Sequence, residues 1–301
     1  MPNKLIFFGT EDFSTPFLNA LIEGGYEVAC VVTKPDSARG RSAEPVRPEV
    51  KTMSEQHDIP VLQPENLSQL ADSLSEWGTK AGVLASYGRI IPDNLLELFP
   101  EGIINVHPSD LPKHRGPSPI EQTILDGDKQ TAVSLMKLAK EMDAGPVYAK
   151  VKLNVSDNIS KPDLKESLIK AGASLMLDKL PAILSGQLKP TPQDDSRATY
   201  TQLIKKSDGQ IDWSHTAQNI ERQVRAYQGW PGSFTELFGV RITIHEANNI
   251  DESGLPGEHF ISPNGLLSIY CGQSALELKV VQPAGKKPMS SADFIRGYAA
   301  S

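Results

Sequence analysis

Cysteine is nearly absent: the 301-residue chain carries two, Cys30 and Cys271, far apart and each within an apolar stretch. That excludes a disulfide framework or a Cys-x-x-Cys metal site, and it suits buried, reduced thiols in a reducing compartment. Long hydrophobic runs are missing too, since none reaches the roughly 18 apolar residues of a membrane-spanning helix. The opening "MPNKLIFFG" reads as a strand from Lys4, which leaves no room for a targeting segment, so a cytoplasmic protein is expected. Positive charge is in deficit, with 30 Lys and Arg against 37 Asp and Glu and a formal net charge of −7. Such a chain has no global pull toward a polyanion, so nucleic acid would have to be held by a local basic patch. Two nucleotide-binding signatures also fail. The turn "FFGTEDFSTP" has one glycine, Gly9, where the dinucleotide fingerprint needs three, and Glu11 and Asp12 would repel a pyrophosphate. "SARGRSAEP" lacks the Gly-Lys-Ser/Thr ending of a P-loop. Internal repeats and low-complexity tracts are absent as well.

What is there is an ordinary soluble composition, 39% hydrophobic and 22% charged, in a chain comfortable for two domains. "KLIFFGT" is a strand, and "EDFSTPFLNALIEGG" is punctuated as a helix, with Thr15 as N-cap, Pro16 at the first turn and Gly24-Gly25 at the end. Phe13, Phe17, Leu21 and Ile22 form its core-facing stripe. "YEVACVVTK", a helix near 66–78, "AGVLASYG", a helix near 93–98 and "GIINVH" continue the alternation. The pattern implies an α/β, Rossmann-like, mostly parallel sheet with helices on both faces. Beyond residue 130 two extended runs meet at the turn Asp143-Ala144-Gly145, and a helix follows near 161–185. We divide the chain into a catalytic domain over 1–188, a turn-rich linker over 189–206 and a C-terminal domain over 207–301. The last begins with a helix near 214–227, then has short alternating runs that favour a small OB-like β-barrel, and closes with a helix in "MSSADFIRGY".

The chemistry concentrates in "IINVHPSDLPKHRG", residues 103–116. Side chains two apart on a strand share a face, so Asn105 and His107 project together from a strand's carboxyl end, where open α/β sheets place ligands. A carboxamide can donate to a developing oxyanion, and an imidazole can move a proton near neutral pH. Asp143, in an Asp-x-Gly turn, is the candidate carboxylate to hold the imidazole. A metal set of His107, His114 and Asp143 is the other chemical option, disfavoured by the cations Lys113 and Arg115 beside His114. From the residues alone a merely structural strand-end histidine is an equal alternative.

"NVHPSDLPKHRGPSPI" followed by "DAGP" resembles the signature of the folate-dependent formyltransferase family. "VVTKPD", "GRIIP", "TPQDDSRATYT", "RAYQGWPGSFT" and "QPAGKKPMSSADFIRGY" extend the likeness along almost the whole chain, and the last two resemble the branch that acts on methionyl-tRNA. The sequence departs from the family pattern at Pro108, Asp110 and Lys113-His114, and Asp110 sets a carboxylate beside the pocket of an anionic folate. The resemblance implies transfer of the formyl group of 10-formyltetrahydrofolate to the α-amine of methionyl initiator tRNA, with no metal required; no membrane partner is expected, and a monomer is expected although the sequence does not reveal the oligomeric state. It implies that Asn105, His107 and Asp143 carry the reaction. It places folate along Ser109, Asp110, Leu111 and Pro112, with the pterin near Arg89, Ile90 and Ile91. For tRNA it implies the loop bearing Lys34, Arg39, Arg41, Arg47 and Lys51, and a C-terminal strip drawn from Arg222, Arg225, Lys286 and Lys287. Trp213 and Trp230 are expected in the core or at the domain junction. Rival readings are a folate-dependent enzyme acting on a sugar-nucleotide amine or on water, and a non-catalytic RNA-binding protein.

Overall fold

The computed structural model describes residues 4–38 and 45–298. In chain order the first elements are β1 (Lys4–Gly9), α1 (Thr15–Glu23), β2 (Glu27–Val32), a ribbon of β3 (Ser37–Ala38) and β4 (Pro45–Val46), α2 (Glu49–Gln56) and β5 (Val61–Leu62). Next come α3 (Ala71–Ser75), β6 (Ala81–Ala85), α4 (Asp93–Leu96), β7 (Gly102–His107) and α5 (Pro119–Asp126). β8 (Gln130–Lys137), β9 (Val147–Asn154) and the long α6 (Lys161–Leu184) follow. One sheet takes the order β5-β2-β1-β6-β7-β8-β9. It is parallel from β5 to β7 and antiparallel across β7-β8 and β8-β9. This is the mostly parallel α/β sheet that the alternation implies.

Its central strands are continuous apolar runs because both faces are covered. Leu5 and Phe7 point to one face and Ile6 and Phe8 to the other, and all four are fully buried. Burying such a side chain is worth about 1.5–3 kcal/mol. On one face Ile6 and Phe8 pack with Leu84, Tyr87, Ile91, Leu95 and Phe99. Burial of Cys30 pushes its thiol up to about 12.

Two local expectations are corrected. The N-cap of α1 is Ser14, not Thr15, and no side-chain cap bond forms. The Ser14 hydroxyl instead donates to the Ala85 carbonyl (2.7 Å) and accepts from the Thr10 N–H (3.0 Å), stitching β1 to the end of β6. The helix near 66–78 is broken into a 3-10 turn, Leu67–Leu70, and the short α3. Asn66 starts that turn by accepting the Ser68 N–H (3.0 Å).

The second sheet comprises β10 (Ser233–Leu237), β11 (Val240–Ile250), β12 (His259–Ile261), β13 (Leu267–Tyr270), β14 (Ala275–Pro283) and β15 (Met289–Ser290), flanked by α7 (Ala217–Ala226) and α8 (Ser291–Tyr298). It is antiparallel, runs β10-β11-β14-β13-β12 with β15 on β14, and forms a half-barrel. Thr216 caps α7 through the Asn219 N–H (3.1 Å). Ile220, Val224, Ile242, Ile244, Leu276, Leu278 and Phe294 fill the core between helices and sheet. Trp213 packs on that core and donates its indole N–H to Thr235 (3.1 Å). Trp230 does not: it is 56% exposed in the turn between α7 and β10.

By its contacts the chain forms two compact units. The first holds residues up to Pro119, Gln130–Asn154 and Lys165–Thr201, and the second holds Ile120–Lys129, Val155–Leu164 and the residues from Gln202 on. Residues 189–201, read from composition as linker, are therefore part of the first unit. They are held by hydrogen bonds rather than by an apolar stripe, so hydrophobic periodicity gives no sign of them. Among the described residues no helix is long and apolar enough to cross a membrane.

Candidate active site

β7 ends at His107, and its alternation turns Asn105 and His107 to the same face. The cross-strand partners are Met136 for Asn105 and Ser134 for His107. Asn105 and His107 are 6% and 5% exposed, polar groups set in an otherwise apolar strand. Asp143 approaches from the turn between β8 and β9 with a left-handed backbone, φ +51°, a conformation for which Asp is one of the tolerated residues. Its Oδ1 accepts from Asn105 Nδ2 (3.4 Å) and lies 3.7 Å from His107 Nδ1. Its Oδ2 accepts the Gly116 N–H (2.6 Å). His107 Nε2 stands 3.2 Å from the His114 carbonyl oxygen. The two ring nitrogens thus face a carboxylate oxygen on one side and a carbonyl oxygen on the other. The three residues singled out from sequence stand together, at distances on the long side of a hydrogen bond that substrate binding commonly tightens.

The motif's remaining residues build this corner. Gly116 has φ +107°, and a Cβ there would lie 2.7 Å from the Thr201 carbonyl oxygen, so glycine is required for its N–H to reach Asp143. The Ser109 hydroxyl donates to the Lys113 carbonyl (2.7 Å), and the Ser134 hydroxyl to the Ser109 carbonyl (2.6 Å), closing the loop. Leu111 is buried. Pro112 and Leu111 line a concavity of about 250 Å³ with Val147, Tyr148 and Thr191. Asp110, the awkward departure, neither points free into solvent nor meets a ligand unpaired. Its carboxylate pairs with Lys150 (2.8 Å) and Lys152 (3.8 Å), two residues on the same face of β9.

The loop "GRIIP" divides its side chains. Ile91 joins the core at 6% exposure, whereas Ile90 is 80% exposed. The Arg89 guanidinium donates to the Pro64 carbonyl (2.7 Å) and to that of Glu65, so it holds the neighbouring loop.

The basic residues proposed for RNA are less free than composition implies. Arg47 pairs with Glu55, Lys51 with Asp36 (2.8 Å) and Lys34 with Glu11 (3.7 Å). Hydrogen bonds from Gln63 and then Lys51 hold the Asp36 carboxyl below its ordinary range. Arg39 and Arg41 lie outside the described residues. In the second unit Arg225 is held by Glu221 (2.6 and 2.9 Å) and the Ile159 carbonyl (2.9 Å). Arg222 lies over Gly127, where a Cβ would come within 2.2 Å of its guanidinium carbon. Lys286 and Lys287 stand exposed on the turn between β14 and β15, with no carboxylate partner among the described residues.

The chain belongs to the formyl transferase family: the family pattern "Formyl transferase" matches residues 3–180, and "Formyl transferase, C-terminal domain" matches 203–299. Among curated proteins it is 39% identical over 299 residues to the methionyl-tRNA formyltransferase of Chloroflexus aurantiacus, covering 98% of this chain and 96% of that one. It is 41% identical over 297 residues to the methionyl-tRNA formyltransferase of Streptococcus pyogenes, covering 98% and 95%. Among solved structures, the sugar 3N-formyl transferase WlaRD superposes over 95% of this chain and all of its own, with a TM-score of 0.70 at 17% identity. HypX from Aquifex aeolicus, solved with tetrahydrofolic acid, does so over 98% of this chain and 47% of its own, with a TM-score of 0.67 at 17% identity. At that identity these structures show the fold alone.

Proposed function

We propose that the protein transfers the formyl group of 10-formyltetrahydrofolate to the α-amino group of methionyl initiator tRNA, in the cytoplasm where charged tRNA is made, and that it works as a single chain. The observation that carries the acceptor is the identity of 39–41% to curated methionyl-tRNA formyltransferases over both family regions. The sugar-acting relatives share only the fold.

The residues fit a folate donor. Asp110 is neutralised by Lys150 and Lys152, so an anionic folate meets a paired carboxylate. Ile90 offers a bare apolar surface for a flat ring, and of the three residues Arg89, Ile90 and Ile91 it alone has a side chain uncommitted to the protein. When bound, the folate supplies an N-formyl carbon, open to attack by an amine. Asn105 donates its carboxamide N–H to the formyl oxygen as charge builds there; losing such a donor costs about 10²- to 10³-fold in rate. His107 stabilises the same charge and carries the proton from the attacking amine toward the departing nitrogen, a general acid–base role worth about 10²- to 10⁴-fold. Asp143, with Oδ1 3.7 Å from Nδ1, fixes the orientation of the ring. Of the C-terminal basic residues Arg222, Arg225, Lys286 and Lys287, the last two are the exposed ones and are free to meet RNA phosphates.

The test is incubation with 10-formyltetrahydrofolate and a mixture of charged tRNAs, amino-sugar nucleotides present. Formyl should appear on methionine attached to initiator tRNA. Formyl on the sugar amine, or free formate alone, sinks the reading. Light scattering should return the mass of one chain.

A further inference from the structure

Residues 191–201 follow the long helix α6 and carry no chemistry in the reading above, yet they meet the Asp143 turn directly. The Gln193 side-chain amide donates to the carbonyls of both Asp143 (2.7 Å) and Gly145 (2.7 Å). Its Oε1 accepts from Arg115 Nη2 (3.1 Å) and Nε (3.3 Å). Arg115 is 2% exposed and is gripped from its other side by Asp195 (2.6 Å) and the Tyr200 hydroxyl (3.0 Å). The backbone is laced as well. Thr191 and Val147 exchange N–H···O bonds (2.8 Å each), and Arg115 bonds Thr199 (3.0 Å) and Thr201 (2.8 Å).

The turn needs such a hold. Asp143 sits at φ +51°, a left-handed conformation that Asp tolerates but that neighbouring contacts must select. Gly145 is pressed so closely on β8 that a Cβ would lie 1.9 Å from the Lys137 carbonyl oxygen. Capping the carbonyls on either side of Ala144 fixes the peptide planes of the turn, and hence where the Asp143 carboxylate points. Because the Arg115 fork is itself fixed, its donors orient the Gln193 amide so that N–H, rather than carbonyl, faces the turn.

We propose that Gln193, oriented by Arg115, is a positioning residue for the Asp143 carboxylate, so that 191–201 belongs to the catalytic machinery rather than to a connection. This rests on the reading that Asp143 holds His107. Gln193→Glu is the sharper variant, since it keeps an acceptor for Arg115 but brings no N–H to the two carbonyls. Gln193→Ala removes both.

The experiment measures single-turnover and steady-state formyl transfer to methionyl-tRNA for Gln193→Ala, Gln193→Glu, Asp143→Asn and each Gln193 change combined with Asp143→Asn, with folding followed by circular dichroism. Misplacing a catalytic group lowers kcat, and about tenfold to a hundredfold is expected for the Gln193 variants with KM unchanged. In the Asp143→Asn background neither Gln193 change should lower the rate further, because residues acting through one group are not additive. A fully active Gln193→Glu, or a Gln193 effect that persists undiminished beside Asp143→Asn, overturns the proposal while leaving the catalytic reading intact. Normal turnover by Asp143→Asn overturns both. If Gln193→Ala does not fold, the same comparison is read from Gln193→Glu.

Discussion

Asn105 and His107 project from one strand face, and a single oxygen of their shared neighbour Asp143 lies near both. That economy predicts unequal costs. With the roles proposed above, Asn105→Ala should lower kcat about 10²- to 10³-fold, while His107→Ala should cost about 10²- to 10⁴-fold. Both variants should keep the wild-type circular dichroism spectrum, and folded variants with near-normal turnover would refute the roles. The pair was legible because strand alternation and an Asn-x-His spacing need no tertiary information. Gly116 was not, since its task is set by Asp143 and Thr201, far away in sequence. Arg89 and Ile91 show the opposite failure: a motif gives their positions, but burial and a neighbouring loop decide what their side chains do.

At the scale of elements, β9 reaches the loop that follows β7. Its alternation sets Lys150 and Lys152 on one face, and both meet Asp110. Lys150→Ala should leave the carboxylate under-compensated and raise KM for the folate donor while kcat holds; adding Asp110→Asn should restore KM. Steady-state kinetics with varied folate decides it, and an unchanged KM in Lys150→Ala would remove Asp110 from the donor site. Strands and long helices were readable because apolar periodicity marks them: β1, β7 and α6 fall where the pattern puts them. The stretch 189–201 escapes that periodicity for a matching physical reason. It is anchored by Gln193, Asp195, Thr199 and Tyr200, polar side chains whose partners no local pattern reveals.

For the molecule as a whole, a net charge of −7 must be reconciled with a polyanionic substrate. Several cations of the expected RNA surface are already paired within the chain, whereas Lys286 and Lys287 are exposed. Affinity for tRNA should fall steeply with added salt, and Lys286→Ala and Lys287→Ala should each reduce the slope of log K against log salt by about 1. Filter binding across a salt series checks this, and a flat response would refute phosphate-dominated binding.

The interleaving of the two units bears on how the chain can be built. It passes from one to the other at residues 119/120, 129/130, 154/155, 164/165 and 201/202. As a ribosome releases it, the first unit has all its parts once Thr201 emerges. Ile120–Lys129 and Val155–Leu164 must then wait for about a third of the protein still to be made. During that interval they lack the later partners they meet in the finished chain, Arg222 over Gly127 and Arg225 on the Ile159 carbonyl.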